Sequence, residues 1–232
     1  GGLRCNTLDF SSQLGPEWDT DNENPNAQFG DPVVVTRNDG ESVLRLTNEE
    51  GNLSTRVSLL DRLPWAGNRV EVSFQYFSYG NDNGDADGIA VAFSDADVAL
   101  DPGGYGGSLG YANRCYVDGF AGGWLGVGID EYGNFSNDEE CRHGEYWLSW
   151  LYNRVEDAVA VRGDGEGQQG YEYITGTGSL DPDLSDPGTN TPGPGHLYKV
   201  IVDTRPDNGV TEEWLLRVLR DPDGPDGGSG YQ

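Results

Sequence analysis

Trp124-Leu125-Gly126-Val127-Gly128-Ile129-Asp130-Glu131-Tyr132-Gly133-Asn134 is an apolar strand that ends abruptly in a loop carrying oxygen donors two residues apart. A hard cation collects about six to eight oxygens from carboxylates, amides and main-chain carbonyls. Asp130, the backbone carbonyl of Tyr132 and the Asn134 amide can all turn inward on one tight loop, and Gly133 allows that turn. This spacing therefore suggests a calcium site. Asp-Glu-Tyr-Gly-Asn is also an ordinary polar hairpin composition, so the turn alone leaves both readings open.

A second segment bears on the choice. Asp87-Gly88-Ile89-Ala90-Val91-Ala92-Phe93 is an Asp-Gly followed by a small, apolar strand, and Pro102-Gly103-Gly104-Tyr105-Gly106-Gly107-Ser108-Leu109-Gly110-Tyr111 is a glycine-rich loop. With the first stretch, these segments resemble the legume-type lectin fold. More narrowly, they resemble the lectin-like modules of bacterial surface proteins, including the calcium-dependent peptide-binding domains of repeat-toxin-type (RTX) adhesins. The close match covers about residues 80–180. The resemblance implies a legume-lectin-like jelly roll in which Asp87, the Gly106-Gly107 backbone and Asn134 converge on one shallow ligand site, with Gly88 allowing close approach. Tyr105 and Tyr111 are either ligand-stacking rings or packing residues of the loop itself.

By the same resemblance, the acidic metal ligand after Asp130 comes from Asn137-Asp138-Glu139-Glu140, with Glu140 first by register and Glu139 next. Legume lectins place a transition-metal Glu two residues before the calcium-loop Asp. Gly128 stands there in this sequence, so the second metal is not expected.

The chain has 232 residues and a formal charge of −26, from 40 acidic and 14 basic side chains. Such a surface repels phosphate backbones and anionic lipid, which argues against nucleic acid as a partner. No apolar run approaches the roughly 18 residues that span a bilayer, so no membrane insertion is expected. Gly1-Gly2-Leu3-Arg4 has no signal-peptide core, consistent with a mature or excised module. The length suits one lectin-like domain over residues 1–220, and Asp221-Pro222-Asp223-Gly224-Pro225 onward to 232 reads as a flexible linker. Of the three cysteines, Cys115 and Cys141 bracket the calcium-loop segment. A bridge between them is favoured over either pairing with Cys5. His143 and His196 are far apart in sequence and no Cys-x-x-Cys occurs, so zinc is not expected.

Glycine at 36 positions, with Asn, Asp and Pro between short apolar runs, indicates an all-β chain: a two-sheet antiparallel β-sandwich. Strands are predicted over 33–36, 43–47, 53–59, 69–79, 88–93, 123–129, 157–162, 197–203 and 213–220. In 69–79 the even-numbered apolar residues from Val70 to Tyr76 face the core. The segment containing Leu215 to Leu219, between Asn208-Gly209 and Asp221-Pro222, is too short for a stable helix and reads as a strand. Long loops are predicted over 94–118 and 181–195.

The resulting functional expectation is a non-enzymatic, extracellular calcium-binding module of a bacterial adhesin. It would be a monomeric part of a larger chain that mediates cell adhesion or biofilm formation. Its partner would be a peptide, with a free C-terminal carboxylate favoured, or a glycan on another cell. Sugar hydroxyls would satisfy Asp87 and glycine N–H groups equally well, so these ligands remain alternatives. Glycan hydrolases need two carboxylates about 5–9.5 Å apart, and no strand supplies that pair. No Gly-x-Ser-x-Gly elbow occurs either. A purely structural spacer would gain little from an ordered glycine loop.

Overall fold

The computed structural model describes residues 5, 7, 10–11, 13–80, 86–142, 154–185, 193–207, 214–225 and 230–231. His143, the Asn208-Gly209 turn, the Gly1–Arg4 start, and parts of the 181–195 loop and C-terminal segment lie outside them. The chain gathers into two compact units, Gly1–Asp61 and Arg62–Gln232.

The first unit contains β1 (Trp18–Asn22), β2 (Val33–Thr36), β3 (Ser42–Arg45) and β4 (Thr55–Leu59). β1 pairs antiparallel with β4, and β2 with β3. Sequence periodicity misses β1 because Trp-Asp-Thr-Asp-Asn has no apolar alternation. Its pairing is reinforced by Arg56, which contacts Asp19 and Asp21 on the neighbouring strand.

The second unit is a β-sandwich. Its strands are β5 (Arg69–Tyr76), β6 (Gly88–Ser94), β7 (Gly123–Asp130), β8 (Ala158–Arg162), β9 (Gly165–Glu166), β10 (Gln169–Gly170), β11 (Tyr173–Gly176), β12 (His196–Asp203) and β13 (Leu215–Asp221). One antiparallel sheet has the order β11-β8-β7-β6 and the other β13-β12-β5, while β9 and β10 form a small hairpin. The predicted strands of this unit coincide with β5–β8, β12 and β13 to within a few residues. β9–β11 escaped notice because a Gly/Gln-rich hairpin and a short exposed strand carry little periodicity.

Alternation along β7 explains how the layers stack. Val127 and Ile129 point into the sandwich, where Val127, Val159, Val161 and Val200 form a buried cluster flanked by Val91, Phe93, Leu216 and Val218. Each such side chain contributes about 1.5–3 kcal/mol when fully buried. β5 adds Phe74 and Tyr76 around buried Tyr198, as its alternating pattern requires. At the start of β7, the rings of Trp65, Trp124 and Trp214 pack edge to face or tilted and close that end.

The centre of the opposite face of the four-stranded sheet is built from Gly and Ala. Ala90 lies across from Gly128, Ala92 from Gly126, and Gly128 from Ala160. Onto this flat face settle Tyr111, Phe120, Phe135 and Tyr171, all buried, from the loops that follow β6, β7 and β10. A Cβ at Gly126 would run into the Tyr111 ring and one at Gly128 into the Phe135 ring. The phenol groups find partners at their rims: Tyr111 donates to the Gly163 carbonyl at 2.8 Å and Tyr171 to the Phe120 carbonyl at 3.0 Å. Any side chain at position 128 would collide with Phe135.

Gly128→Ala should therefore cost about 1–3 kcal/mol by overpacking, read as a lower denaturant midpoint. An unchanged midpoint would mean that Phe135 is not seated as described.

Candidate functional site

The strand alternation runs past the end of β7 into the loop. Asp130 continues the outer face occupied by Gly126 and Gly128, and Glu131 continues the inner face. Both carboxylates are buried, at 0% and 4% exposure. Asp130 Oδ1 accepts from the Gly133 N–H at 2.8 Å and Oδ2 from the Phe135 N–H at 2.6 Å, so this side chain shapes its own loop. Glu131 accepts from the Tyr76 hydroxyl at 2.6 Å and the Ser78 hydroxyl at 2.8 Å, tying the loop to β5 and its continuation. Gly133 has φ +96°, and a Cβ there would strike the Val155–Glu156 backbone. Only glycine fits that close approach.

The loop is joined directly to Asp87. The Asp87 carbonyl accepts from the N–H groups of Glu131 at 3.1 Å and Tyr132 at 3.3 Å. Gly88 next to it has φ +127°, and a Cβ would lie against the Ile129 carbonyl, so the chain passes β7 too closely for any side chain. From the other side comes the glycine loop, whose turn Gly106–Ser108 is a single 3-10 turn. A Cβ on Gly106 would be 3.9 Å from Asp87 Oδ2, and one on Gly107 would overlap Asn134. Asp87, Gly106-Gly107 and Asn134, drawn from three separate segments, thus meet in one place. Asn134 Oδ1 accepts from the Asn137 amide at 2.9 Å.

Three arginines hold these segments together, and none stands out in the sequence. Buried Arg162 spends its guanidinium on main-chain carbonyls, donating to Phe135 at 2.6 Å and to Tyr171 and Asn137 at 2.7 Å each. Burial pulls it below its ordinary range to about 9, which leaves it charged at neutral pH. Arg142, also buried, donates to Ser108 of the glycine loop at 3.0 Å, to Glu140 at 2.9 Å and to Asn137 at 3.3 Å. Among the described residues, its Nε–H and the buried Asn113 Oδ1 have no partner. Arg114 pairs with the other Glu140 oxygen and lies over the Tyr105 ring, 3.9 Å from its centroid. A distributed set of single Arg residues has no periodic signature; the nearest sequence cue is their scarcity in so acidic a chain.

The remaining candidate residues fall as follows. Glu140 sits between the guanidiniums of Arg114 and Arg142. The Glu139 N–H donates to Asn137 Oδ1 at 3.1 Å. Tyr132 is exposed beneath Arg154, which lies 4.0 Å from the ring centroid. Tyr111 is a packing residue on β7, whereas Tyr105 is half-buried beside Gly106. Cys115 and Cys141 form a disulfide that ties the glycine-loop segment to the segment after Glu140, and Cys5 is free and exposed.

Electrostatically, Asp130 and Asp87 are under-compensated despite the arginines nearby. Burial, opposed by the two loop N–H bonds, pushes Asp130 up from 3.8 to about 7, and Asp87 adds to the rise. Asp87 is itself raised by burial and then by Glu140, with Arg142 and Arg114 opposing. A desolvated carboxylate whose like-charged neighbour is only partly offset is what a hard cation relieves. Asp130, the Tyr132 carbonyl and Asn134 are oxygen donors of the kind calcium takes. Glu140, in contrast, is already matched by two guanidiniums. Comparison with known proteins finds no family model that matches the chain and no curated protein similar to it.

Because the folded state holds the Asp130 proton to higher pH than the unfolded chain does, this group's contribution to stability falls as pH rises from about 4 to about 7. In chelator, the denaturant midpoint should drop more between pH 5 and pH 7.5 for the natural chain than for Asp130→Asn. Parallel pH profiles would remove Asp130 as the source.

Proposed function

We propose that this chain is a calcium-dependent recognition module of a bacterial cell-surface adhesin that binds short peptides by their free C-terminal carboxylate. The observation that carries this reading is the meeting of Asp87, Gly106-Gly107 and Asn134 at one edge of a rigid sandwich. Long ordered loops on such a scaffold are where binding function concentrates. In this reading Asp130, the Tyr132 carbonyl and Asn134 hold calcium, with Glu139 as the further acidic ligand, because both Glu140 oxygens are matched by Arg114 and Arg142. The ion fixes Asn134 and neutralises Asp130, while Asp87 accepts hydrogen bonds from the ligand. Gly88, Gly106 and Gly107 allow close backbone approach, and Tyr105 borders the ligand. No bond is made or broken.

The cations nearest the patch favour a carboxylate over a neutral sugar. Arg114 and Arg142 both act on Asp87 electrostatically, and half-buried Arg114 borders Gly106. A charge-assisted contact is roughly twice as strong as a neutral hydrogen bond. The Cys115–Cys141 bridge agrees with an oxidising, extracellular setting. The legume-type resemblance and the adhesin context rest on the motifs around Asp87, Gly107 and Asp130.

A library of free and C-terminally amidated peptides, assayed beside a glycan array, tests the reading. Free-acid peptides should bind in calcium and lose at least about tenfold on amidation, equivalent to ~1.4 kcal/mol. Chelator should abolish binding and lower the melting temperature. Asp87→Ala should lose binding at an unchanged melting temperature, because its main-chain carbonyl still anchors the loop. Selective sugar binding, or affinity indifferent to calcium, would overturn it.

A further inference from the structure

We propose that Tyr116 is a second contact point of the recognition patch and selects peptides bearing a lysine or arginine side chain upstream of the bound carboxylate. This deepens the peptide reading above and rests on it.

Tyr116 is 95% exposed, although it sits beside one of the most firmly tied parts of the site. Arg114 and Val117 exchange backbone hydrogen bonds at 3.0 Å in both directions, closing a tight turn. Cys115 within that turn is bridged to Cys141, and its N–H donates to the Glu140 carbonyl at 2.8 Å. The Tyr116 N–H donates to the Gln168 side chain at 3.2 Å, and Gln168 in turn donates to Asp118 at 3.3 Å. Arg114, two residues away, reaches Tyr105, Glu140 and the neighbourhood of Gly106. The turn therefore flanks the patch that contains Asp87.

Tyr116 has φ +65°, a left-handed backbone in which any Cβ is penalised and glycine or asparagine is the usual occupant. Tyr171 shares this backbone handedness, but its ring is buried in the packing over β7; at Tyr116 the same conformation holds a ring nearly bare of contacts, an outlier from which a functional role is argued. An aromatic ring on a pinned backbone supplies contact area with little entropy to lose on binding.

The charge around the ring identifies what it would take. Asp118, two residues on, is exposed and shares the Gln168 amide with the Tyr116 backbone. The chain as a whole carries −26, which draws in cations and repels acidic ligands. The face of a tyrosine ring attracts a cation, and the aliphatic stem of Lys or Arg packs on it. The patch thus offers half-buried Arg114 for a carboxylate and, two residues along the same turn, an exposed aromatic with a nearby carboxylate for a cation.

The test uses the intact chain in calcium with free-acid hexapeptide pools in which Lys, Leu or Glu is fixed at one upstream position at a time. The natural chain should favour Lys over both Leu and Glu by about fivefold or more at one position. Tyr116→Ser and Tyr116→Gly should erase that preference while still binding pools without Lys, and Asp118→Asn should reduce it. Tyr116→Gly should melt no lower than the natural chain, since glycine relieves the backbone. A natural chain with no Lys preference, one that favours Leu or Glu, or a preference that survives both Tyr116 substitutions would overturn the inference and leave the peptide reading standing. If no pool binds the natural chain, or if Asp87→Ala binds every pool as well as it does, the underlying reading fails and this one with it.

Discussion

The second unit depends on the absence of side chains from one face of β7. Gly126 and Gly128, with Ala90, Ala92 and Ala160 beside them, leave a surface flat enough for the rings of Tyr111 and Phe135 to lie directly on the sheet. The loops that bear those rings carry the candidate site, so the glycines position it without touching it. Close packing makes this arrangement stiff: a ring pressed on a sheet has little room to shift, and the loop it belongs to inherits that rigidity. The alternate residues of the same strand, Val127 and Ile129, meanwhile fill the sandwich interior. One short stretch thus supports two cores.

Charge is organised on the same scaffold. Asp130 lies at the end of the flat face and converts it into a loop by accepting two N–H groups, while Glu131 turns under the sandwich to Tyr76 and Ser78. Arg162 binds the Phe135 and Asn137 carbonyls of this loop, and Arg142 bridges the loop to Ser108. Buried charges of this kind are costly unless each is paired or hydrogen-bonded, which accounts for the density of contacts around them. The contacts define loop geometry more than they add net stability. Asp130 remains the least compensated group, and the calcium reading turns on it.

Much of this was legible in the sequence where a periodic signal existed. Alternation located β5, an apolar run ending in a polar turn located β7, and flanking turn signals located β13; alternation followed along β7 one step further would also have turned Glu131 inward. The Asp87, Gly107 and Asn134 segments were visible as motifs, and the structure brings them together. Trp18–Asn22 was not legible, because its strand character comes from pairing with β4 and not from its own pattern. Neither were Arg114, Arg142 and Arg162: single basic residues at unrelated spacings acquire a common role only once the loops are folded over the sheet. Tyr116 was equally silent, since backbone handedness and exposure are not written in residue type.

Placing arginines inside has a price at the exterior. With Arg142, Arg162 and Arg220 buried, only the rest of the 14 basic side chains remain against 40 acidic ones to break up the carboxylates facing solvent. The outer shell therefore repels itself, and ordinary sodium or potassium salts relax that repulsion by shortening its range to a Debye length of about 8–10 Å. Any divalent ion does the same in addition to whatever it does at a specific site. For this molecule, the effect of calcium is meaningful only at matched ionic strength, with magnesium as the companion ion that shares the charge but not the coordination preference.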